Sequence, residues 1–305
     1  MDKIIRRTIE TGEPREGLEL DLAYEKAVAA LQKDATNPRD QKFLKVYGES
    51  AIEEDLEYVR EKERTFAREE TVEEHGAKRV GTIFEGLIHE QSEQNDWLGP
   101  DAHTIKTALF DDIKHGVDII VEFQKRAGEA SHLALAVDVT FSRHAESKLK
   151  RLVGRLERGA LTEVKYFSSE YLHITGTLED VPEVVIGASR ETVRGILPLW
   201  LGRKNKELSE HKMQFLILEE MRLQLQTLEA YARFLAAREQ DLTKKEKYII
   251  IAERYKTALQ IVFEVIKNKA ELKKKLGISL KDLERDPVFK SISEYMVGLA
   301  RSFSD

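Results

Sequence analysis

Residues Gly116–Phe141 read GVDIIVEFQKRAGEASHLALAVDVTF: two apolar runs, GVDIIVEF and HLALAVDVTF, joined by the polar segment QKRAGEAS. Short runs rich in Val, Ile and Phe and bounded by Gly and polar residues are strand signals, and so brief a joint predicts an antiparallel pair. Each run contains a carboxylate, Asp118 at the mouth of one and Asp138 near the end of the other. An unpaired ion on a core strand is costly to desolvate, so two on consecutive strands need a reason, and a bound cation is one. Because side chains alternate along a strand, Asp118, Ile120 and Glu122 are expected on one face of theirs, and Asp138 and Thr140 on one face of the next.

Working outward, Thr104–Phe110 reads as a further strand, joined to the pair by DDIKHG, with Asp111 and Asp112 as turn residues. Before it, a helix over about Lys78–Ser92 shows the stripe Val80, Ile83, Phe84, Leu87, Ile88. Glu85 sits at the edge of that stripe, one turn from Gly81, where a second backbone can come close. After the pair, Ser142 is placed to cap a helix over Arg143–Arg158 with Leu149, Leu152, Val153 and Leu156 on its buried side. His144, Lys148, Arg151 and Arg155 flank that side and give the helix a basic edge. Thr162–Phe167 and Pro182–Ala188 are expected to continue the sheet, and Ser189 opens a short helix.

The flanks are helical. Leu20, Ala23, Tyr24, Ala27 and Leu31 repeat at helical spacing over 19–34, and Asn37 before Pro38 predicts the cap of a second helix that runs on through EEDLEYVREKERTFAREE. In the last third, Leu218, Met221, Leu225, Leu228, Ala232 and Leu235 form one seam, and Tyr248, Ile251, Tyr255, Ala258, Val262 and Val265 a second. Thr243 to Glu246 has the form of a capping box between them, so an antiparallel hairpin is expected. The implied organisation is an N-terminal helical segment over 1–76, a mixed α/β domain over 77–202 and a C-terminal helical hairpin with closing helices over 203–305.

Composition narrows the chemistry. The chain has 305 residues, 41% hydrophobic and 34% charged, and no cysteine, so thiol nucleophiles, disulfides and cysteine-ligated metals are excluded. The first residues, MDKIIRRTIETGEPRE, lack the apolar core of a secretory signal, and no run approaches the length that spans a bilayer, so a cytoplasmic protein without a membrane partner is expected. The net charge of −6 is uneven: residues 203–276 have 17 Lys/Arg against 11 Asp/Glu, whereas residues 1–76 have 13 against 20. Phosphate-binding glycine loops and the G-x-S-x-G elbow are absent from the sequence, as is the helical H-x-x-x-H pair.

The order of helix with an edge glutamate, strand, strand with Asp, strand with a second Asp, basic helix and strand resembles the PD-(D/E)xK, or restriction-endonuclease-like, nuclease superfamily over about residues 78–190. VGTIFEGL resembles its first-helix motif, with the glutamate at Glu85; GVD resembles its PD element, with Asp118; and AVDVT stands where the superfamily writes (D/E)xK, with Asp138. The resemblance implies an αβββαβ core and Asp118, Asp138 and Glu85 as ligands of Mg²⁺ or Mn²⁺. Thr140 occupies the lysine position. Threonine can bond a water but supplies no positive charge, so Lys148 is the candidate substitute, with His144 and Lys165 behind it.

The expectation is therefore an α+β or α/β protein with a divergent, metal-dependent nuclease site acting on DNA or RNA, and with Arg151 and Arg155 along a phosphate backbone. The alternative is a nuclease-fold protein without activity that works as an interaction module through its helical hairpin, with a nucleic acid, a protein or a second copy of the chain as partner.

Overall fold

In the computed structural model the described residues are 15–124, 129–138 and 143–303; for 15, 16, 72, 73, 135–138, 143 and 144 the description covers the backbone alone. The described residues begin with helices α1 (Arg15–Asp34), α2 (Gln41–Tyr47), α3 (Glu49–Glu69) and α4 (Val72–Asn95). The single helix expected after Asn37 is two, because Gly48 takes φ 76° between α2 and α3. Asn37 makes a turn instead of a cap: its Oδ1 accepts the Arg39 N–H at 3.0 Å, and Asp40 takes the cap position of α2. Helix α4 starts earlier than its apolar stripe suggests, at a capping box formed by Thr71 and Glu74.

Next come β1 (Ala102–Lys106), α5 (Leu109–His115), β2 (Ile119–Gln124) and β3 (Ala130–Asp138). The strand expected to reach Phe110 stops at Lys106, and the expected DDIKHG turn is helix α5. Two contacts explain this. Phe110 is 2% exposed and packs among Phe43, Ile52 and Tyr166, while Asp111, fully buried, accepts the backbone N–H groups of Lys165 at 2.7 Å and Tyr166 at 3.1 Å.

The remaining elements are α6 (Arg143–Glu157), β4 (Thr162–Ser169), β5 (Ile174–Val181), β6 (Glu183–Gly187), α7 (Arg190–Leu201), α8 (Asn205–Ser209), α9 (Met213–Arg238), α10 (Leu242–Asn268), α11 (Ala270–Lys275), α12 (Leu280–Leu283) and α13 (Pro287–Ser302). One sheet has the order β1-β2-β3-β6, with β1, β2 and β3 antiparallel and β6 parallel to β3. A parallel neighbour needs a long crossover, and α6 with the β4–β5 hairpin supplies it. The strand β4, expected in this sheet, pairs among the described residues with β5 in a separate two-stranded sheet. Val164, Phe167 and Val181 of that hairpin bury the sheet face that carries Ile120 and Ala134.

The opposite face, with Ile119, Val121, Phe123 and Leu133, packs on Ile83, Phe84 and Leu87 of α4 in a core that continues through Met221, Leu225 and Leu228 to Tyr248 and Tyr255. The mixed α/β segment and the helical hairpin, separated at 202/203 in the sequence reading, thus share one core. Helices α9 and α10, 26 and 27 residues long and about 40 Å at 1.5 Å per residue, pack along the two expected seams, all buried except the half-buried Leu235. The cap of α10 is Asp241, which accepts the Thr243 and Lys244 N–H groups, so the Thr243–Glu246 box is not used. Among the described residues no helix is long and apolar enough to cross a membrane.

Candidate functional site

The steps of four on α4 turn Glu85, His89 and Glu93 toward β1, whose Thr104 and Lys106 alternate onto the same face. His89 bonds Thr104 Oγ1 through Nδ1 at 2.7 Å and Asp34 Oδ2 through Nε2 at 2.9 Å, and Glu93 accepts both the N–H and the hydroxyl of Thr104. One turn up, the Lys106 ammonium lies 2.7 Å from Glu85 Oε1 and 3.5 Å from Asp112 Oδ2, and donates to the Asp118 carbonyl at 3.1 Å. The Lys106 side chain is 13% exposed, Glu85 11% and Asp112 33%.

The electrostatics of this group are dominated by carboxylates. Burial pushes the Glu85 carboxyl up; Lys106 opposes the shift and the charges of Asp118 and Asp112 add to it. The Asp112 carboxyl is also raised, first by its densely packed surroundings and then by Asp118, against the lowering charges of Lys106 and Lys148. Lys106 holds its proton more firmly than usual: burial alone would weaken it, but Glu85, Asp112 and Asp118 outweigh that effect. Glu85, Asp112 and Asp118 therefore crowd one ammonium, with the Lys148 charge also felt at Asp112, and burial together with mutual repulsion pushes the Glu85 and Asp112 carboxyls toward their protonated forms.

No protein-family model, curated protein or solved structure matches this chain.

Several sequence-predicted residues meet here. Glu85 is in the cluster, Asp118 precedes β2 within electrostatic reach of Glu85, and the Lys148 charge acts on Asp112. The facing is not the expected one. Ile120 and Glu122 look toward the β4–β5 hairpin while α4 lies on the other face, so only Asp118, ahead of the strand, reaches the Glu85 side. The backbone of Asp138 ends β3 opposite Gly187 of β6, whereas its side chain, the His144 side chain and the whole of Thr140 lie outside the described residues.

Other candidates are engaged elsewhere. Arg151 and Arg155 both bond the carboxylate of Glu183, a β6 residue 1% exposed, and reach the carbonyls of Gly116 and His115 respectively. Gly116, at φ 73°, leaves room for the Arg151 guanidinium where a Cβ would stand. The two arginines join α6 to β6 and to the end of α5 and are turned toward protein atoms. Lys165 lies 2.5 Å from Asp55 Oδ2 and over the rings of Tyr47, Phe110 and Tyr166, away from the cluster. Glu122 accepts from His132 Nε2 at 3.1 Å and from Ser169; burial would raise its carboxyl, but these bonds hold it below the usual range.

Two members of the cluster were not read from the sequence. Lys106 ends an apolar strand, and a charge at a strand end is ordinarily solvated; Asp112 stands in an Asp-Asp pair that has the composition of a turn. The available signal was the change of period at Ala108–Phe110, which marks a helix and turns the two aspartates to different neighbours.

A hard divalent cation takes carboxylate oxygens, and Glu85, Asp112 and Asp118 have that chemistry. As they stand, the Lys106 ammonium is between them, and among the described residues no group of three or more acidic or histidine side chains is arranged to hold a metal ion.

Proposed function

We propose that this chain is a nuclease of the PD-(D/E)xK type that hydrolyses phosphodiester bonds in DNA or RNA at the Glu85–Asp112–Asp118 cluster. The observation that carries the reading is the convergence of residues from α4, β1, α5, the mouth of β2 and α6 at one end of a sheet. The order α4, β1, β2, β3, α6, β6, with β6 parallel to β3, supports it, since this is the αβββαβ order that the resemblance implies; α5 and the β4–β5 hairpin are additions to it.

In this reading Glu85, Asp118 and Asp138 hold Mg²⁺ or Mn²⁺ with Asp112 beside them, and the ion neutralises the phosphate and makes a bound water more acidic. Lys148 is the charge that stands in for the missing motif lysine, and a cation placed near the reacting phosphate stabilises the charge that develops in the transition state. The test is incubation of plasmid, single-stranded DNA and RNA with the protein, with Mg²⁺ or Mn²⁺ and with a chelator. Cleavage that the chelator abolishes supports the proposal, and intact substrates under all conditions oppose it.

A second reading has its own observation. The buried Lys106 between Glu85 and Asp112 is also what a structural ion-pair cluster looks like. On that reading the fold is kept without activity and the outer faces of α9 and α10 do the work.

A further inference from the structure

Residues 203–212 and 267–285 come together where α9 begins and α10 ends. Gln214, fully buried in the first turn of α9, ties them: its side-chain amide donates to the carbonyls of Ser209 and His211 at 2.9 and 3.0 Å, and its oxygen accepts from Lys269 Nζ at 2.8 Å. Lys275 lies 2.9 Å from Glu210, and Ile278 and Leu283 pack on the core that contains Leu208 and Met213. A capping box of Ser279 and Asp282 opens α12. This end of the hairpin is therefore built on fixed backbone, and it is strongly positive. The two segments have 11 Lys/Arg against 5 Asp/Glu, an excess of six in a chain of net charge −6, so the rest of the chain carries −12. Lys267, Lys275 and Arg285 are paired with carboxylates, whereas Arg203, Lys204, Lys206, Lys212, Lys274 and Lys281 are exposed and make no ion pair among the described residues.

We infer that this basic end of the helical hairpin is a binding surface for the phosphate backbone of a nucleic acid. The class of partner rests on the proposed nuclease reading; the surface itself lies outside residues 78–190, which carry the resemblance. A cation already paired with a carboxylate has little left for a phosphate, but an exposed, unpaired one releases counterions from a polyanion when it binds. Cations spread over two segments suit a row of phosphates better than a single small anion. The remaining −12 repels a polyanion, so the basic end supplies the attraction and turns the rest of the molecule away from the strand. Contacts with phosphate carry no base information, and the binding is sequence-independent. A lipid surface of the same charge is the weaker match. The helices that present these lysines, α11 and α12, have six and four residues and only Leu276 and Leu280 exposed beside them, far short of the apolar face on which an amphipathic helix lies in a bilayer.

The experiment is fluorescence anisotropy of a labelled DNA duplex and of labelled single-stranded DNA and RNA with the full chain, at rising salt and in a chelator so that no strand is cut. The natural protein is compared with Lys204→Glu/Lys206→Glu/Lys274→Glu and with Lys42→Glu/Lys45→Glu/Lys62→Glu, which makes the same change of net charge at exposed lysines of α2 and α3. Circular dichroism checks each fold. The natural protein is expected to bind at least one of the three probes with a log–log salt slope of about −3 or steeper, the release from about four phosphates. The hairpin-end variant should lose at least about tenfold in affinity and show a shallower slope, while the α2–α3 variant stays within about threefold. The milder Lys204→Gln/Lys206→Gln/Lys274→Gln gives the same order of effects with less disturbance of the fold. Absence of binding by the natural protein, equal losses in the hairpin-end and α2–α3 variants, or no loss in a folded hairpin-end variant overturns the inference. Tighter binding to phosphatidylserine vesicles than to any nucleic acid, lost in the hairpin-end variant, overturns it in favour of a lipid surface. Cleavage is scored separately with Mg²⁺ or Mn²⁺: binding at the basic end without cleavage sinks the nuclease reading alone, and cleavage that the hairpin-end variant retains at the natural affinity sinks the inference alone.

Discussion

The side chain of Gln224 hydrogen-bonds both backbone groups of Val185, accepting its N–H at 2.8 Å and donating to its carbonyl at 2.6 Å. Val185 is on β6, the edge of the sheet opposite β1, and one turn earlier on α9 the fully buried Glu220 accepts the Gly187 N–H at 2.9 Å. A sheet edge buried without partners would leave several backbone groups unsatisfied. Helix α9 takes the place of a fifth strand, which is why the C-terminal hairpin shares the core with the sheet.

Replacing Gln224 with Leu keeps the volume and strands both Val185 groups. At roughly 1–3 kcal/mol for each of the two buried groups left unbonded, a loss of about 2–6 kcal/mol is expected in urea unfolding. Gln224→Glu, which keeps an acceptor but loses the donor, should also destabilise.

Glu183 is expected to be the most costly single charge to remove. Glu183→Ala leaves Arg155, 18% exposed, and Arg151, 39% exposed, without their carboxylate. Breaking a buried pair from its buried side costs about 3–5 kcal/mol. Arg151→Ala, from the more solvated end, should cost about 1 kcal/mol or less. Equal losses for the two variants, measured by thermal unfolding, would contradict the clamp.

Gly86 is where α1 and α4 meet. A Cβ there would lie 2.8 Å from Ala27 Cβ and 2.9 Å from Ala27 Cα, so Gly86→Ala must push one helix off the other. Overpacking of this kind costs roughly 1–3 kcal/mol, against a helix-propensity gain of about 1 kcal/mol. A net loss in chemical denaturation is expected, and the double variant Gly86→Ala/Ala27→Gly should recover much of it.

His211 gives the protein a pH dependence of known sign. Burial pushes its imidazole down to about 4, the Lys212 charge adding to the effect; Nδ1 accepts the Met213 N–H at 3.3 Å, and the ring stacks on Trp97. The folded pKa lies below the ordinary value of about 6.5. The contribution is therefore complete above about pH 6.5 and is lost as pH falls toward about 4. His211→Phe keeps the stacking and removes the titration. The stability difference between natural protein and variant should narrow or reverse by about 1–3 kcal/mol between pH 7 and pH 4, and a constant difference would contradict it.

What the sequence makes legible follows from periodicity. The stripe from Val80 to Ile88, the α6 face from Leu149 to Leu156 and the two long seams apart from the half-buried Leu235 are buried as read, because an amphipathic helix turns its one apolar face to the core. The runs around Ile119 and Leu133 are strands for the same reason. Where long-range contacts decide, the reading differs. Asp112 belongs to a helix because Phe110 and Asp111 are held beneath β4, and Thr162–Phe167 leaves the main sheet because β5, with its polar exterior and weak alternation, pairs with it. Lys106 is at the centre of the candidate site through the register of β1 against α4 and β2, which no local pattern encodes.

Asp112 is the residue that this fold adds to the expected carboxylates, so it gives the most direct measurement: single-turnover cleavage of labelled nucleic acid with Mn²⁺ by the natural protein, Asp112→Asn and Asp118→Asn. Cleavage by the natural protein with a loss of at least about a hundredfold in both variants, a scale typical of removing one electrostatic element of an active site, is the predicted result. Unchanged rates in folded Asp112→Asn and Asp118→Asn, or no cleavage by the natural protein on any substrate, would contradict a phosphodiester site in this cluster.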